Sequence, residues 1–245
     1  MKNILIIGAS SAIAQATARI WAKQQAAFFL VGRDRAKLER LAQDLLVRGA
    51  SKAEIGVVDF LSIAEHQGAI SRACESLGNL DIALLAHGSL TDQARGEQNN
   101  QYAVEELTLN FSTAVSFLTL VASRMSAQKQ GAIAVIGSVA GDRGRSSNYF
   151  YGAAKAGLAA FTQGLRQRLS KENVHVLLIK PGFVDTPMTS EFKKGFLWAS
   201  PDQVAKDIDN AITKKKNTLY TPWFWAWIML IIQHIPEPIF KKLKL

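Results

Sequence analysis

The chain has 245 residues, a mass of 26.8 kDa and a hydrophobic content of 48%, enough to bury one substantial core in a single domain. Its one cysteine, Cys74, excludes a disulfide framework within the chain and indicates a reducing compartment. The formal charge of +9 and the pI of about 9.7 are compatible with nucleic acid, an anionic membrane or a phosphorylated ligand. The four histidines are scattered, so we expect no metal site.

The first segment has the pattern of a strand, a turn and a helix. Ile4 to Ile7 is a short apolar run typical of a buried parallel strand, and a turn at Gly8 leads into a helix that extends to about Gln25. The free amides and the positive dipole end at such a helix start favour an anion. The turn is therefore a candidate phosphate cradle, although an ordinary strand–helix turn has the same pattern.

Three further strands are predicted before a long helix. The apolar runs are Phe28 to Val31, Ile55 to Asp59 and Leu80 to Leu85, and a helix pattern from Arg35 to Arg48 separates the first two. The fourth strand leads to His87, and a lone loop histidine is more often structural than catalytic. A helix predicted from Tyr102 to Met125 contains Asn110 among apolar neighbours, so its amide must find hydrogen-bond partners.

The most informative stretch lies between Ser138 and Lys155. Residues 132–137 are apolar and predict a strand, which places Ser138 at a strand's carboxyl end, where open α/β sheets bind ligands. A helix predicted from about Asn148 carries Tyr151 and Lys155 four residues apart, on one face. A nearby cation favours phenolate and lowers the pKa of a tyrosine, which makes Tyr151 a candidate acid/base. The alternative is an ordinary surface pair.

Ser138, followed after 13 residues by Tyr151-x-x-x-Lys155 and preceded by an N-terminal glycine turn, resembles the short-chain dehydrogenase/reductase family over about residues 1 to 190. The resemblance implies an α/β fold with a single Rossmann-type, doubly wound parallel sheet of about seven strands. Beyond this sheet, the apolar sequence itself predicts a C-terminal helical extension. Val174 to Ile179 is the sixth strand, and we expect the seventh near Thr218 to Thr221. Residues 1–218 would form the nucleotide-binding domain with a substrate lid at about 186–200, and residues 219–245 a separate Lys-flanked segment.

The resemblance also implies a site. The implied catalytic residues are Asn110, Ser138, Tyr151 and Lys155, and the implied cofactor-binding residues are Gly8, Ser10, Ser11, Ile13, Arg33, Asp59, Ala86, Gly88, Tyr151, Lys155, Pro181, Gly182, Val184 and Thr186. The family's Gly-x-x-x-Gly-x-Gly turn keeps only Gly8, because Ala12 and Ala14 occupy the other two places. Asp59 matches the adenine-contacting Asp of the family, and it could also cap the following helix.

Arg33 stands where the family selects its cofactor. An arginine there accommodates the 2′-phosphate of NADP, whereas an acid accepts a hydrogen bond from the ribose of NAD. Arg33 therefore favours NADP(H) over NAD(H), although a shift of one place to Asp34 would reverse this prediction.

The implied reaction is reduction of a ketone or keto-sugar to an alcohol. Tyr151 would donate the proton, Ser138 would bind the carbonyl, Lys155 would hold the nicotinamide ribose and Asn110 would organise a proton relay. The alternative function is a catalytically silent NADP-binding sensor or assembly subunit. The altered glycine turn favours the alternative, and the complete Asn, Ser, Tyr and Lys set favours the enzyme.

The segment Leu219 to Ile235 is apolar, rich in tryptophan and flanked by lysines, but too short to span a membrane. It is either an interfacial anchor or a buried helix or dimer contact. With the residues 138–145, Ser-Val-Ala-Gly-Asp-Arg-Gly-Arg, it is similar to polyprenyl-phosphoryl 2-keto-ribose reductases, which implies a lipid-linked substrate. Arg143 and Arg145 would then contact a lipid phosphate or remain solvated. We expect a cytoplasmic homo-oligomer, dimer or tetramer, peripheral on the inner face of the membrane and without a nucleic-acid partner.

Overall fold

A computed structural model describes residues 1–243, and within them seven parallel strands form one sheet in the order β3-β2-β1-β4-β5-β6-β7. The strands are β1 (Asn3–Ile7), β2 (Ala27–Gly32), β3 (Lys52–Val57), β4 (Ile82–Leu85), β5 (Gly131–Ile136), β6 (Val174–Pro181) and β7 (Thr218–Thr221). The predicted Rossmann-like α/β fold is confirmed, and the seventh strand lies where the sequence predicts it.

Ten α-helices surround the sheet in this part of the chain. They are α1 (Ala12–Ala22), α2 (Arg35–Val47), α3 (Ile63–Leu77), α4 (Gln93–Gln98), α5 (Asn100–Leu107), α6 (Thr113–Gln128), α7 (Tyr149–Leu169), α8 (Pro201–Thr213), α9 (Trp225–His234) and α10 (Glu237–Phe240). Helices α1, α2 and α8 pack on one face of the sheet, and α3, α6 and α7 pack on the other.

Strand β1 shows why the strands read as unbroken apolar runs. Ile4 and Ile6 belong to the core on the α1 face, whereas Leu5 and Ile7 belong to the core on the α6 face. Successive side chains of a strand point to opposite faces, so a strand covered on both sides needs an apolar residue at every position. The apolar run therefore predicts a central parallel strand.

The strand order reverses between β1 and β4, which creates a crevice at their carboxyl ends. Gly8 follows β1 there with a φ of +86°, and a Cβ at Gly8 would lie 2.3 Å from the backbone nitrogen of His87, after β4. The turn between β1 and α1 therefore requires glycine for both its conformation and its close approach to the neighbouring strand.

Two predicted elements differ from the structure. Strand β3 begins three residues before the predicted Ile55 and ends at Val57, so Asp59 lies outside it. As an edge strand, β3 is partly exposed and lacks a clean apolar run. The long helix predicted from Tyr102 to Met125 is divided by a π-helical turn at Thr108–Ser112, with α5 before it and α6 after it.

The chain's last described part covers the carboxyl edge of the sheet. Strand β7 pairs with β6, so the predicted boundary between residues 218 and 219 falls inside a strand of the sheet. Helix α9 buries Trp225 and Met229 in a small core with Val139. Among residues 1–243, no helix has the length and apolar character needed to cross a membrane.

Candidate active site

Ser138 is positioned by the end of β5. The amide of Gly137 donates to the carbonyl of Ile179 in the adjacent strand β6, and this bond extends the sheet to the residue before Ser138. The Ser138 hydroxyl then accepts a hydrogen bond from the Ala140 amide at 3.1 Å, at the start of a short 3-10 turn. The hydroxyl is therefore fixed at the carboxyl edge of the sheet.

Tyr151 and Lys155 lie in the first two turns of α7. Lys155 is 4% exposed, and its Nζ donates to the Ile136 carbonyl at 3.3 Å and lies 5.5 Å from the centre of the Tyr151 ring. Tyr151 is partly buried and forms a hydrogen bond with Ser138. The structure thus brings Ser138, Tyr151 and Lys155 together.

Burial controls the protonation of this pair. It raises the pKa of Tyr151 to about 12, against the opposing effect of the hydrogen bond with Ser138, and it lowers the pKa of Lys155 to about 8. The expectation that the pKa of Tyr151 is lowered is wrong for this structure, because the desolvation of phenolate outweighs the hydrogen bond with Ser138. At neutral pH the phenol keeps its proton and can act as an acid.

Asn110 lies at the centre of the π-helical turn. Its side-chain amide donates to the Glu106 carbonyl at 3.0 Å and to the Ser89 hydroxyl at 3.1 Å, and its Oδ1 accepts from the Ser89 amide at 3.0 Å. The side chain thus binds the carbonyl that an α-helix would pair with the Asn110 backbone amide, which accounts for the wider turn. A Cβ at Gly88 would lie 2.7 Å from Asn110 Oδ1 and 3.6 Å from Lys155 Nζ, so both groups flank Gly88.

His87 has a structural position beside this group. Its Nε2 lies 2.8 Å from the Thr113 hydroxyl, and that hydroxyl donates its own proton to the Leu109 carbonyl, so Nε2 must be the donor to Thr113. Burial, with a further contribution from Lys155, lowers the pKa of His87 to about 3. His87 therefore remains neutral throughout the physiological pH range.

The predicted phosphate-binding residues surround the β1–α1 turn. Ser11 precedes α1 and its side chain makes no capping hydrogen bond, so it does not compete for the first amides of the helix. Ser10 is exposed, Ile13 is buried, and Ala14 is fully buried in the core. Ala14 is thus accommodated by packing in the core, whereas Ala12 is partly exposed.

Arg33 and Asp34 follow β2 and have different environments. Arg33 is exposed, and within the described residues its guanidinium has no hydrogen bond or ion pair. Asp34 is the N-cap of α2: its Oδ1 accepts from the Lys37 amide at 3.0 Å, and this bond lowers the pKa of its carboxyl. Arg33 is consequently the free side chain at this strand end.

Asp59 is exposed beyond β3, where its Oδ1 accepts from the Leu61 amide at 3.1 Å. The N-cap position of α3 belongs to Ser62, so the alternative prediction of Asp59 as a helix cap is wrong. The side chain forms a local turn because three residues still separate it from the helix start. Ala86 is partly buried between β4 and Gly88.

The predicted Pro-Gly loop follows β6 directly. Pro181 ends the strand, Val184 is buried and pairs with Ala199, and the Thr186 hydroxyl lies 3.3 Å from that of Thr189. At Gly182 a Cβ would lie 1.9 Å from the indole nitrogen of Trp225, so α9 packs directly on this loop.

Two features of the site were missed by the sequence reasoning. Trp225 is buried against the loop, and its Nε1 has no hydrogen-bond partner in the part of the chain that the structure describes. A buried ion pair between Asp142 and Lys180, with Tyr220 donating to Asp142 at 2.8 Å, joins the Ser138 loop to β6 and β7. Local sequence spacing could not predict either contact, because each one joins residues that lie at least 38 positions apart in the chain.

The two arginines near Ser138 also differ from expectation. The Arg143 guanidinium donates to the carbonyls of Ile232 and Ile235 at 2.6 and 2.7 Å and pairs with Glu237 at 3.0 Å. It therefore caps the C-terminal end of α9 and is a poor candidate to contact a lipid phosphate, because its side chain is only 15% exposed and its Nη1 and Nη2 groups already bind the protein. Arg145 is partly buried, which lowers its pKa.

The described residues contain no group of three His, Cys, Asp or Glu side chains that could hold a metal ion. Of the histidines, His66 is enclosed by the Phe60 carbonyl at 3.0 Å and the Ser116 hydroxyl at 2.9 Å. Its ring stacks on Phe117 with 3.7 Å between centroids, so it is a core residue.

Comparison with known proteins identifies the family. The family model for short chain dehydrogenases matches residues 2–195, and an uncharacterized oxidoreductase of Streptomyces coelicolor is 33% identical over 99% of this chain and 96% of the relative. The chain belongs to the short chain dehydrogenase family. An uncharacterized oxidoreductase of Mycobacterium tuberculosis is 31% identical over 98% of this chain and 96% of its own length.

A solved structure with the same fold is a variant of actinorhodin polyketide ketoreductase with NADPH. Its TM-score is 0.80 at 20% sequence identity, and the match covers 90% of this chain and 95% of the other. At this identity the likeness supports the fold alone. As a member of the family, the protein is an oxidoreductase of the nicotinamide-dependent type.

Proposed function

We propose that the protein is an NADP(H)-dependent carbonyl reductase in which Tyr151 is the proton donor. The observation that carries the proposal is a partly buried phenol, protonated at neutral pH, that lies 5.5 Å from the Lys155 ammonium, measured from the ring centre, and forms a hydrogen bond with Ser138 at the carboxyl edge of the sheet. A general acid must hold its proton at the working pH, as this phenol does, and the neighbouring Lys155 can stabilise the phenolate that forms when the proton is transferred.

The residues present fit a nicotinamide dinucleotide. The strand reversal places the Gly8 turn and the start of α1 beside Gly88, and the Ser11 side chain leaves the first amides of α1 uncapped. When bound, NADPH supplies the hydride. Lys155 and Tyr151 would contact its nicotinamide ribose, and the Pro181–Thr186 loop its nicotinamide end.

The two residues after β2 favour NADP(H) over NAD(H). Arg33 has an exposed guanidinium that has no partner among residues 1–243, and it can pair with a 2′-phosphate through charge-assisted hydrogen bonds. Asp34, the residue that would favour NAD(H), already binds the Lys37 amide as a helix cap. The actinorhodin ketoreductase variant was solved with NADPH, which agrees with this choice.

The chain's own residues divide the work of carbonyl reduction. The Ser138 hydroxyl donates to the substrate carbonyl, Tyr151 transfers its proton to the same oxygen, and the Lys155 charge stabilises the phenolate that remains. Asn110, fixed by Glu106 and Ser89, would order the water that returns a proton to the pair.

The substrate class is proposed from the lid. Phe192 and Phe196 are exposed on the segment predicted to close over the site, which favours a bulky apolar ketone or a lipid-linked keto-sugar. We further propose a cytoplasmic homo-oligomer. The narrower assignment to polyprenyl-phosphoryl 2-keto-ribose reductases loses the support of Arg143, since that side chain caps α9.

A turnover assay tests the proposal. The protein is incubated with NADPH and a panel of ketones and keto-sugars, and the loss of NADPH absorbance is followed. We expect Tyr151→Phe to abolish turnover while retaining NADPH binding, measured by tryptophan fluorescence. Tyr149→Phe is the matched control, because Tyr149 is in the same helix turn but exposed, and it should keep full activity. Turnover by Tyr151→Phe at the unaltered rate would overturn the proposal.

The second candidate is a sensor that binds NADPH without turnover. Ala12 and Ala14, in the family's glycine places, are the observation that favours it. The same assay distinguishes the two, because a sensor would bind NADPH and reduce no carbonyl in the panel.

A further inference from the structure

Helix α9 and the residue pair before it expose a row of large apolar side chains, which we call the aromatic face. Trp223, Trp227, Leu230 and Ile231 are 71%, 63%, 47% and 67% exposed. Trp227, Leu230 and Ile231 lie on one side of α9, at spacings of three and one residues, and Trp223 lies in the turn just before the helix. The face is therefore a continuous apolar strip, in contrast to the isolated apolar residues that occur on most protein surfaces.

The orientation of the aromatic face is fixed by packing. Trp225 and Met229, on the opposite side of α9, are 3% and 0% exposed and pack on Val139, next to Ser138. Arg143 fastens the end of α9 through the Ile232 and Ile235 carbonyls. The exposed strip is thus presented outward by a docked helix.

Positive charge surrounds the aromatic face. Residues 214–245 contain six lysines and one glutamate, an excess of five positive charges out of the chain's net nine. Lys216 and Trp223 line the same groove beside β7, at one end of the face, and the groove also contains Asp207 of α8, whose carboxylate accepts hydrogen bonds from Thr221 and Gln203. Lys241 and Lys242 are exposed just after α10, at the other end. Glu237, the one acidic residue in the sequence of residues 214–245, is paired with Arg143.

The lid adjoins this helix. The Phe183 ring lies 5.3 Å from Trp198 of the lid and 5.2 Å from Trp225 of α9, measured between ring centroids. Phe196, in the same lid, is 92% exposed. The apolar surface therefore extends from α9 to the segment predicted to cover the substrate.

We propose that the aromatic face binds the surface of an anionic lipid membrane. Tryptophan side chains favour the membrane–water interface, and lysines near an anionic leaflet are attracted to it. A second copy of the chain fits less well, because a two-fold contact would place this lysine-rich region against itself, where like charges repel. The inference concerns an interaction surface and does not depend on hydride transfer.

Vesicle flotation tests the proposal. The full chain is mixed with vesicles of phosphatidylcholine alone or with added phosphatidylglycerol, and floated through a sucrose gradient. We expect flotation with the anionic vesicles, weaker flotation with the neutral ones, and release by high salt. Trp227→Glu with Ile231→Glu should abolish flotation, and Lys241→Gln with Lys242→Gln should weaken it by about tenfold.

Val47→Glu is the matched control, because Val47 is 87% exposed at the far end of α2, and it should float as the unaltered protein does. NADPH-dependent turnover of a water-soluble ketone should stay unchanged in all these variants, which separates this result from a failure of the proposed reaction. An unaltered protein that stays at the bottom of both gradients would overturn the inference. So would a dimer in sedimentation that Trp227→Glu converts to monomer without any flotation, since the face would then join two copies.

Discussion

Lys155 is a cation enclosed by the protein, and its burial has a cost in stability that depends on pH. Its pKa is lowered from 10.5 to about 8, so between these values the unfolded chain holds the proton more tightly. The penalty is full below pH 8 and disappears as the pH rises toward 10.5. We expect Lys155→Met to raise the free energy of unfolding at pH 7 by up to about 3 kcal/mol while turnover is lost.

Urea unfolding at pH 7 and pH 10 measures this effect. The increase in the free energy of unfolding that Lys155→Met gives over the unaltered chain should be smaller at pH 10. At that pH Lys155 is largely neutral in the folded state, so most of the cost of burying its charge has disappeared. Lys171→Met is the control, since Lys171 is exposed and its replacement should give little difference at either pH. An equal gain at both pH values would contradict the account.

Arg33, exposed at the end of β2, is the residue that we propose selects the cofactor. Because its guanidinium is free, we expect Arg33→Ala to raise the KM for NADPH by about 10-fold to 100-fold, the loss of a charge-assisted hydrogen bond. The KM for NADH should change little. Initial rates with each cofactor measure the ratio, and Arg35→Ala, an exposed arginine two residues on, serves as the control. Equal losses with both cofactors would argue against 2′-phosphate recognition.

Individual residues show what the sequence could and could not predict. The spacing of Tyr151 and Lys155 indicated a shared helix face, because that depends only on helix period. The direction of the Tyr151 pKa shift depended on burial, which comes from packing between distant segments. For the same reason the capping role of Arg143 could not be predicted, since its partners lie about 90 residues later.

Arg143 holds helix α9 at its C-terminal end. Arg143 satisfies carbonyls that the helix leaves unpaired, and its guanidinium also lies 3.6 Å from the centre of the Phe240 ring. We expect Arg143→Ala to destabilise the docked state of α9 and α10 by about 1.5–3 kcal/mol. Hydrogen exchange should then be faster at amides of residues 225–240 and unchanged in β1.

Glu237→Gln separates the cap from the ion pair. Glu237 has a largely exposed side chain, so removal of its charge should change exchange in α9 only slightly. If Glu237→Gln accelerated exchange as much as Arg143→Ala, the ion pair would be the main contact, contrary to our interpretation.

The elements that the sequence predicted best are those covered on both sides. The central strands β1, β2, β4 and β5 are continuous apolar runs, so their positions follow from composition. The predicted start of strand β3 was three residues too late, because an edge strand is half exposed to solvent and its sequence lacks a continuous apolar run. The π-helical turn escaped prediction because it depends on where the Asn110 side chain finds its hydrogen bonds.

Residues 222–245 contribute to the stability of the whole domain. The core of Trp225, Met229 and Val139 links them to the Ser138 loop, with Leu197 of the lid packed alongside. We expect deletion of residues 222–245 to lower the free energy of unfolding by at least about 3 kcal/mol, since burial of one large apolar side chain contributes about 1.5–3 kcal/mol. Thermal unfolding and NADPH-dependent turnover are the measurements.

Deletion of residues 241–245 alone is the control, because it retains α9 and α10, and it should leave the unfolding temperature nearly unchanged. A deletion of 222–245 that unfolded at the original temperature would support the sequence-based division into two units. We expect the opposite, since β7 and the core beneath α9 both cross the proposed boundary.

The contact between Gly182 and Trp225 restricts the order in which substitutions can accumulate at these two positions. A methyl group at position 182 would overlap the indole, so a larger residue there becomes acceptable only after the tryptophan has been replaced by something smaller. Although the two positions are 43 residues apart in the chain, the substitution at position 225 must come before the one at position 182. A larger side chain at position 182 must therefore follow a change in the C-terminal helix.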